Sequence, residues 1–573
     1  MPLPMLRERL RRRPLWVGVS VWLLGALWFF RDPVFSGFDT ITGYRGDARL
    51  IIFLHEHWWR VLHGEASWRS PDMFAPARDT LGYSDTFALD IVLYAPLRLV
   101  GFDQFVAFQL TLVALTAVGF ASLFTLMHRY LGLNLLPTCL LALAGVFANN
   151  IFIDTGHPQI YAINIVSLVV LVFTAAWRVS DVRWRLAGSA VGGMLVGLLL
   201  WSTYYFGWYT VFLGALFVLI LTAVVAVQDG LGVVWRTICS RWAMGAASLG
   251  GLTVGLVPFF ATYLAVLDDS DFRTYDDVAG LAPRPLDLIN VGRHNVMWGW
   301  LIEPLLDGDG RLDALNRAVA PTPLLLITSA ICTVALIRLV AVRASARSGA
   351  LSRRDGVARI GAALGVATAI AVVSPIQFEF GGAWAWLHRF VPGASALRLF
   401  GRIEIVASML ACLTIACWMS ARGDEVHAED STPTVDGEEI DHGQRRSLAS
   451  VVIVLIGLVC LEQLNTATIS RQFDRSDQLA MLASVGPPPE QCEIFYVTDA
   501  ELEDVNISIV SAMLIAHEID LPTMNGYSGQ YPPGWDLGPG SVDYLAKVDA
   551  WIAERLPEVG TCSLELSTQT WSE

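Results

Sequence analysis

The stretch GYRGDARLIIFLHEHWWRVLHGEASW, residues 43–68, holds one aspartate, two glutamates, three histidines and three tryptophans among residues that are otherwise half apolar. Asp47 follows Gly46, and DARLIIFLHEHWWRVL then has helical spacing. Asp47, Ile51, Leu54, His55, Trp58 and Leu62 share one face, which predicts an amphipathic helix along a membrane surface. Asp47 has two readings there. It can cap the helix by accepting backbone N–H bonds, or it can take a proton in general-base chemistry. Asp39, in GFDT, is the fallback for the second role. His55, Glu56 and His57 are metal-ligating types, but neighbours on a helix diverge, and i, i+4 spacing would suit one ion better. A polar helix side facing the interface competes with that reading, and a divalent metal is left open.

Two further places carry ionisable groups. ASALRLFGRIEIVA (394–407) puts Arg398 and Arg402 four residues apart at the start of an apolar run. On a helix, two guanidiniums so spaced can grip a phosphate or diphosphate, or else reach toward headgroups or pair with Glu404. DTGHPQIY (154–161) offers His157 and Gln159 as substrate contacts, with His55 of the opening stretch as a third, against the alternative of a polar turn broken by Pro158. Acidic DDSDFRTYDD (268–277) and DGDGRLD (307–313) lack the spacing of calcium loops and read as solvated loops.

The elements that must position these groups are membrane helices. Of 573 residues, 54% are hydrophobic and 16% charged, and the mean hydropathy is +0.51. Both departures from soluble composition point to the bilayer. Apolar runs near 14–30, 104–127, 135–153, 160–177, 186–201, 204–227, 243–264, 321–341, 357–375, 395–418 and 449–466 predict about eleven transmembrane helices. The first follows a basic N-terminus with no cleavage-site pattern and reads as an uncleaved signal anchor. Arginines 7–13, 178–185, 236–241, 338–359 and 445–446 all fall on one parity of loops, which makes that side cytoplasmic and the C-terminus extracytoplasmic. The run 86–101, with Asp90, Pro96 and Arg98 inside, reads as interfacial or re-entrant. The arginines form no patch of nucleic-acid-binding size.

The expected organisation is an all-α polytopic membrane protein with a small extracytoplasmic α/β domain at its C-terminus. Residues 1–30 are the N-terminus and first crossing, 31–103 a first extracytoplasmic loop, and 104–264 crossings two to seven. Residues 265–320 form a second outer loop and 321–418 crossings eight to ten. An acidic cytoplasmic linker (419–448) and crossing eleven (449–466) precede the tail, 467–573. In the tail, strands at 492–499 and 561–567 and helices at 505–519 and 541–556 are expected. Cys492 and Cys562 open the two strands on the oxidising side, where they could form a disulfide or stay free. LPTMNGYSGQYPPGW (521–535) reads as a covering loop or an acceptor-side aromatic surface.

The architecture, with GD opening a His/Trp-rich helix directly after the first crossing, resembles the GT-C superfamily of membrane glycosyltransferases. SWRSPDMFAP, LGYSD, GHPQ and LRLFGR resemble bacterial YfhO-like membrane proteins. The resemblance implies a bacterial cytoplasmic-membrane enzyme that uses a polyprenyl-phosphate-linked sugar donor, in some members with a divalent metal, and a glycan, lipid or protein acceptor. It implies Asp47 as general base and Arg398 and Arg402 as the donor-phosphate site. P-loop, G-x-G-x-x-G and nucleophile-elbow motifs are absent from the sequence, which disfavours nucleotide-sugar chemistry. The alternatives are a lipid or polysaccharide transporter without catalysis, and a GT-C-like scaffold. A transporter would be expected to show inverted repeats, and no internal repeat is visible.

Overall fold

The computed structural model describes residues 14–268, 273–306, 317–345, 352–422, 442–468, 473–498, 505–538 and 541–572. Among these, nine helical stretches are long and apolar enough to cross a membrane: Gln104–Tyr130, Leu135–Gly156, Pro158–Arg178, Val182–Ser202, Tyr204–Asp229, Leu231–Val266, Pro323–Val342, Arg353–Val373 and Phe400–Arg422. Each coincides with an expected crossing. The first and eleventh expected crossings fall on shorter apolar helices, α1 (Pro14–Phe29) and the stretch Ser450–Leu461. At 16 residues α1 is roughly 24 Å long, less than the ~30 Å hydrocarbon core.

The opening stretch forms α2 (Arg45–His63), closed by Gly64 in the left-handed conformation (φ 76°). Its residues Ala48 to Trp58 are all buried, so the expected amphipathic helix with a polar side on the interface is not found. Protein covers it on every face along that length. The run 86–101 gives a short 3-10 turn and α3 (Ile91–Leu99), only nine residues and far too short to cross. Helix α4 (Gln104–Thr125) starts at Asp103, whose carboxylate accepts from the backbone of Phe105 and Val106 at 3.0 and 3.1 Å.

Small residues set the closest helix packing. In α5 (Val182–Ser202) and α6 (Leu231–Tyr263), a Cβ on Gly193 would stand 1.9 Å from the carbonyl oxygen of Ser248. Only glycine lets the two backbones approach so closely. Helix α6 also absorbs most of residues 228–242, expected as a loop. Helix α7 (Pro323–Ser345) is capped from a distance by fully buried Glu462, whose carboxylate accepts from the backbone N–H of Leu324 (3.0 Å) and Leu325 (2.6 Å). A carboxylate at a helix N-terminus satisfies donors that lack an intrahelical partner. Helix α8 (Ile403–Arg422) is buried along almost its whole length and forms the centre of the bundle. The acidic linker lies mostly outside the described residues; its flanks belong to α8 and to α9 (His442–Leu461).

The tail begins with α10 (Arg475–Ser484) and builds a three-stranded sheet, ordered β1 (Ile494–Val497), β2 (Thr561–Glu565), β3 (Thr570–Ser572). β1 and β2 are parallel, β2 and β3 antiparallel, with α11 (Val505–Glu518) and α12 (Tyr544–Arg555) between the parallel pair. Both expected strands and both expected helices are present; β3, short and polar, was not expected. Cys492 and Cys562 are joined by a disulfide, with Cα atoms 5.6 Å apart, a separation in the ordinary range. The tail is knitted to the first loop. Phe74 N donates to Asn525 O (3.1 Å) and Ala75 N to Thr523 O (3.0 Å). The Arg49 guanidinium donates to Ser511 Oγ (2.8 Å) on α11, so α2 is covered by the tail.

Candidate functional site

Asp47 stands in the first turn of α2, but the N-cap position belongs to Tyr44. Its carboxylate is therefore not spent on capping. His157 Nδ1 lies 2.5 Å from Oδ2 and the Gln159 amide 3.4 Å from the same oxygen. Tyr527, in the tail loop between Thr523 and Trp535, donates its hydroxyl to Oδ1 at 3.0 Å. Chain geometry brings these together. Tyr44 N donates to Gly156 O at 2.6 Å, and a Cβ on Gly156 would fall 2.1 Å from the Tyr44 ring. The 154–159 turn thus seats directly on the start of α2. The Tyr44 and His157 rings then meet edge to face, 5.0 Å apart.

The electrostatics favour ionised Asp47. Burial pushes its pKa up, but hydrogen bonds from His157 and Tyr527 and the charges of His157 and Arg402 outweigh it, leaving the carboxyl below its ordinary value. Tyr527 goes the other way: burial and the adjacent Asp47 push its phenol well up, so it is a neutral donor to the carboxylate. Asp85 accepts from Tyr204 N at 2.9 Å. Burial raises its pKa to about 6, against lowering by that hydrogen bond and by Arg402.

Arg398 and Arg402 do not share a helix turn, contrary to the reading from their spacing. Arg398 lies in an irregular segment and Arg402 in a 3-10 turn, Phe400–Arg402, ahead of α8. The Tyr205 hydroxyl accepts from the backbone N–H of both Arg398 (2.9 Å) and Leu399 (3.1 Å), satisfying donors that a helix would otherwise have to bond. Arg402 is buried, 3% exposed, and its Nε is 3.3 Å from Asp154 Oδ2. Arg398 is exposed. Its charge reaches Tyr527 and Tyr531. Asp47, His157, Asp154 and Arg402 thus run as a continuous chain of ionisable groups, with His157 Nε2 3.9 Å from Asp154 Oδ1.

The other sequence candidates stand elsewhere. His55 is fully buried and pairs with Asp90, Nε2 to Oδ2 at 3.3 Å. Glu56 accepts from Tyr94 and Arg98, and His57 Nε2 faces Trp68 O at 3.3 Å. Three neighbours with three separate partners do not form a metal site. Among the described residues, no group of three His, Cys, Asp or Glu is arranged to hold a metal ion; at Asp47 and Asp154 the imidazole of His157 fills the space between the carboxylates. Asp39 is turned to the tail, where its carboxylate accepts from Ser476 N (2.9 Å) and Ser476 Oγ (3.1 Å) at the start of α10. Asp154, Tyr44 and Tyr527 were not singled out from the sequence. The DTGH string carries Asp154 three residues before His157, a spacing that hints at a pair, whereas nothing local ties Tyr527 to Asp47.

No family model matches the chain, and neither does any curated protein. Among solved structures, it is similar to the crystal structure of an Archaeoglobus fulgidus oligosaccharyltransferase in complex with Zn and sulfate. The TM-score is 0.46 and the sequence identity 11%, over 95% of this chain and 67% of that one.

Proposed function

We propose that this chain is an integral-membrane glycosyltransferase of GT-C type, acting on the extracytoplasmic face of the bacterial cytoplasmic membrane. It takes a sugar from a polyprenyl-phosphate donor and moves it to an acceptor hydroxyl on an envelope glycan, lipid or protein. The observation that carries this reading is the ionised, partly exposed Asp47 carboxylate, held between α2, the 154–159 turn and the tail. In the reaction, the acceptor oxygen bonds to the anomeric carbon as the bond from that carbon to the phosphate oxygen breaks. The bonding pair leaves on the polyprenyl phosphate, and the acceptor proton passes to Asp47. A carboxylate within hydrogen-bond reach accelerates such a step by about 100-fold or more. The leaving group is already a stable anion and needs no acid opposite.

Arg398, exposed beside this site, takes the donor phosphate. Arg402 acts through its charge, holding Asp154 and keeping Asp47 ionised. His157 and Gln159 hold Asp47 Oδ2 and so orient the carboxylate, leaving Oδ1 as the oxygen that receives the proton.

The test uses full-length protein in lipid with a panel of radiolabelled polyprenyl-phosphate sugars. Donor turnover by wild type, with Asp47→Asn at least about 100-fold slower yet still binding donor, supports the reading. Donor binding without turnover in wild type would replace the enzyme with the transporter or scaffold.

A further inference from the structure

The Tyr527 hydroxyl makes the contact that an acceptor hydroxyl must make. It donates to Asp47 Oδ1 at 3.0 Å, while Oδ2 is already taken by His157 and Gln159. One carboxylate oxygen is thus engaged by two side chains of the 154–159 turn, and the other by a residue from the far end of the chain. The two contacts differ in what holds them. The 154–159 turn is fixed beneath Tyr44 by the Tyr44 N to Gly156 O bond, and Pro158 within it and Ile160 just after it are buried. Tyr527 sits in a loop between buried Gly526 and buried Ser528, with exposed Gly529 just beyond. Its backbone is pinned next door, where Ser528 Oγ donates to Tyr83 O at 2.5 Å and Arg273 to Gly529 O at 2.9 Å. The Tyr527 ring is half-buried against Gly46, and with the loop anchored, release of Oδ1 requires only that this side chain turn about Cα–Cβ.

We propose that Tyr527 is a stand-in for the acceptor hydroxyl: it occupies Asp47 Oδ1 until an acceptor displaces it, and so keeps water from that oxygen. This rests on the transferase reading for its chemical consequence, though not for the gate itself. With donor bound and acceptor absent, water at Oδ1 would bond through its oxygen to the anomeric carbon. The carbon–phosphate-oxygen bond would break with its electrons on the lipid phosphate, and the water proton would go to Asp47, wasting the donor. A phenol already on Oδ1 prevents this. The acceptor then enters from the tail side, between Tyr527 and Arg398.

Two readouts test the idea on the full chain in lipid. The first is independent of catalysis: carbodiimide with glycine ethyl ester, and mass spectrometry of the modified carboxyls. Tyr527→Phe keeps the ring but frees Oδ1, and Asp47 modification should rise on the order of tenfold, while Asp39, which Tyr527 does not touch, serves as internal control. Unchanged Asp47 modification would overturn the gate. The second is acceptor-free hydrolysis of a radiolabelled polyprenyl-phosphate hexose, which should rise by a similar factor in Tyr527→Phe. A fall in hydrolysis would overturn the proposal, making Tyr527 an orienting partner of Asp47. Faster modification with no donor consumed by either form would leave the gate standing and remove the transferase.

Discussion

A carboxylate that accepts from an imidazole, a phenol and an amide, with a guanidinium nearby, holds its proton less tightly than a solvated one. For Asp47 this favours the charged form at neutral pH, the form that the proposed role as general base requires. The two arginines divide differently. Arg402 is buried against Asp154 at 3.3 Å, and Arg402→Gln leaves Asp154 without that partner in the bundle, at a cost on the order of 3 kcal/mol. Its expected signature is a lower thermal midpoint in lipid together with weaker activity. Arg398→Gln should leave the midpoint unchanged and raise the donor KM about tenfold with little change in kcat, read from donor titrations. A midpoint drop without a KM change in Arg398→Gln would remove it from the donor site. At this scale the sequence carried the types and little of the geometry. Asp47 and His157 stand out by composition, but Tyr527 is 480 positions from Asp47, and chain spacing holds no trace of that contact.

Helix α2 shows how element and context diverge. Its period marks an amphipathic helix, and the bounds 45–63 follow the pattern well. Its burial comes from two sides: α11 of the tail meets it through Arg49 to Ser511 and the Phe53 ring stacked on His517 at 4.1 Å, while Asp90 and α3 cover His55 and Glu56. The segment 394–402 fails in the other direction: it reads as the start of a crossing helix, but Tyr205 takes the N–H groups of Arg398 and Leu399 and Gly393 adopts φ 79°. The α2–α11 contact carries a pH dependence. Burial lowers His57 to about 4, with its bond to the Trp68 carbonyl opposing and Arg60 adding to the fall. Burial, then His57 and Arg60, put His517 well below its ordinary value. The groups facing this pair are Arg60, Asp72 and Asp520; Asp72 lies 3.9 Å from His517 Nε2, and Arg60 pairs with both acids. Both histidines are neutral when folded and take up protons more readily when unfolded. Stability is therefore full above pH ~6.5 and lost as pH falls toward 4. For His57 alone the loss is roughly 3 kcal/mol. Thermal midpoints measured from pH 7.5 to 4.5 should fall, and His517→Gln should flatten the curve; a midpoint independent of pH over that range would show that neither histidine remains neutral.

At the scale of the whole molecule, the arginine pattern and the disulfide make one argument about sidedness. Arginine-rich loops stay on the cytoplasmic side, while a disulfide persists on the oxidising side. In the tail, Cys492 and Cys562 are bonded, and the tail packs on the first loop. The C-terminal end of α6 reaches that same loop, with Tyr263 donating its hydroxyl to Ser84 O at 3.0 Å. Cys239 lies on α6 about 36 Å back from Tyr263 along the helix, more than the thickness of the hydrocarbon core. Among the six free cysteines it is the exposed one; Cys139, Cys332, Cys412 and Cys417 are buried and Cys460 is half-buried. A membrane-impermeant maleimide should therefore miss Cys239 in intact cells and label it after permeabilisation, with Cys239→Ser as the blank. That outcome places Asp47, Arg398 and the tail outside, where a lipid-borne sugar and an envelope acceptor can meet them. Labelling in intact cells would turn the chain over, put the disulfide in a reducing compartment, and take the extracytoplasmic transferase with it.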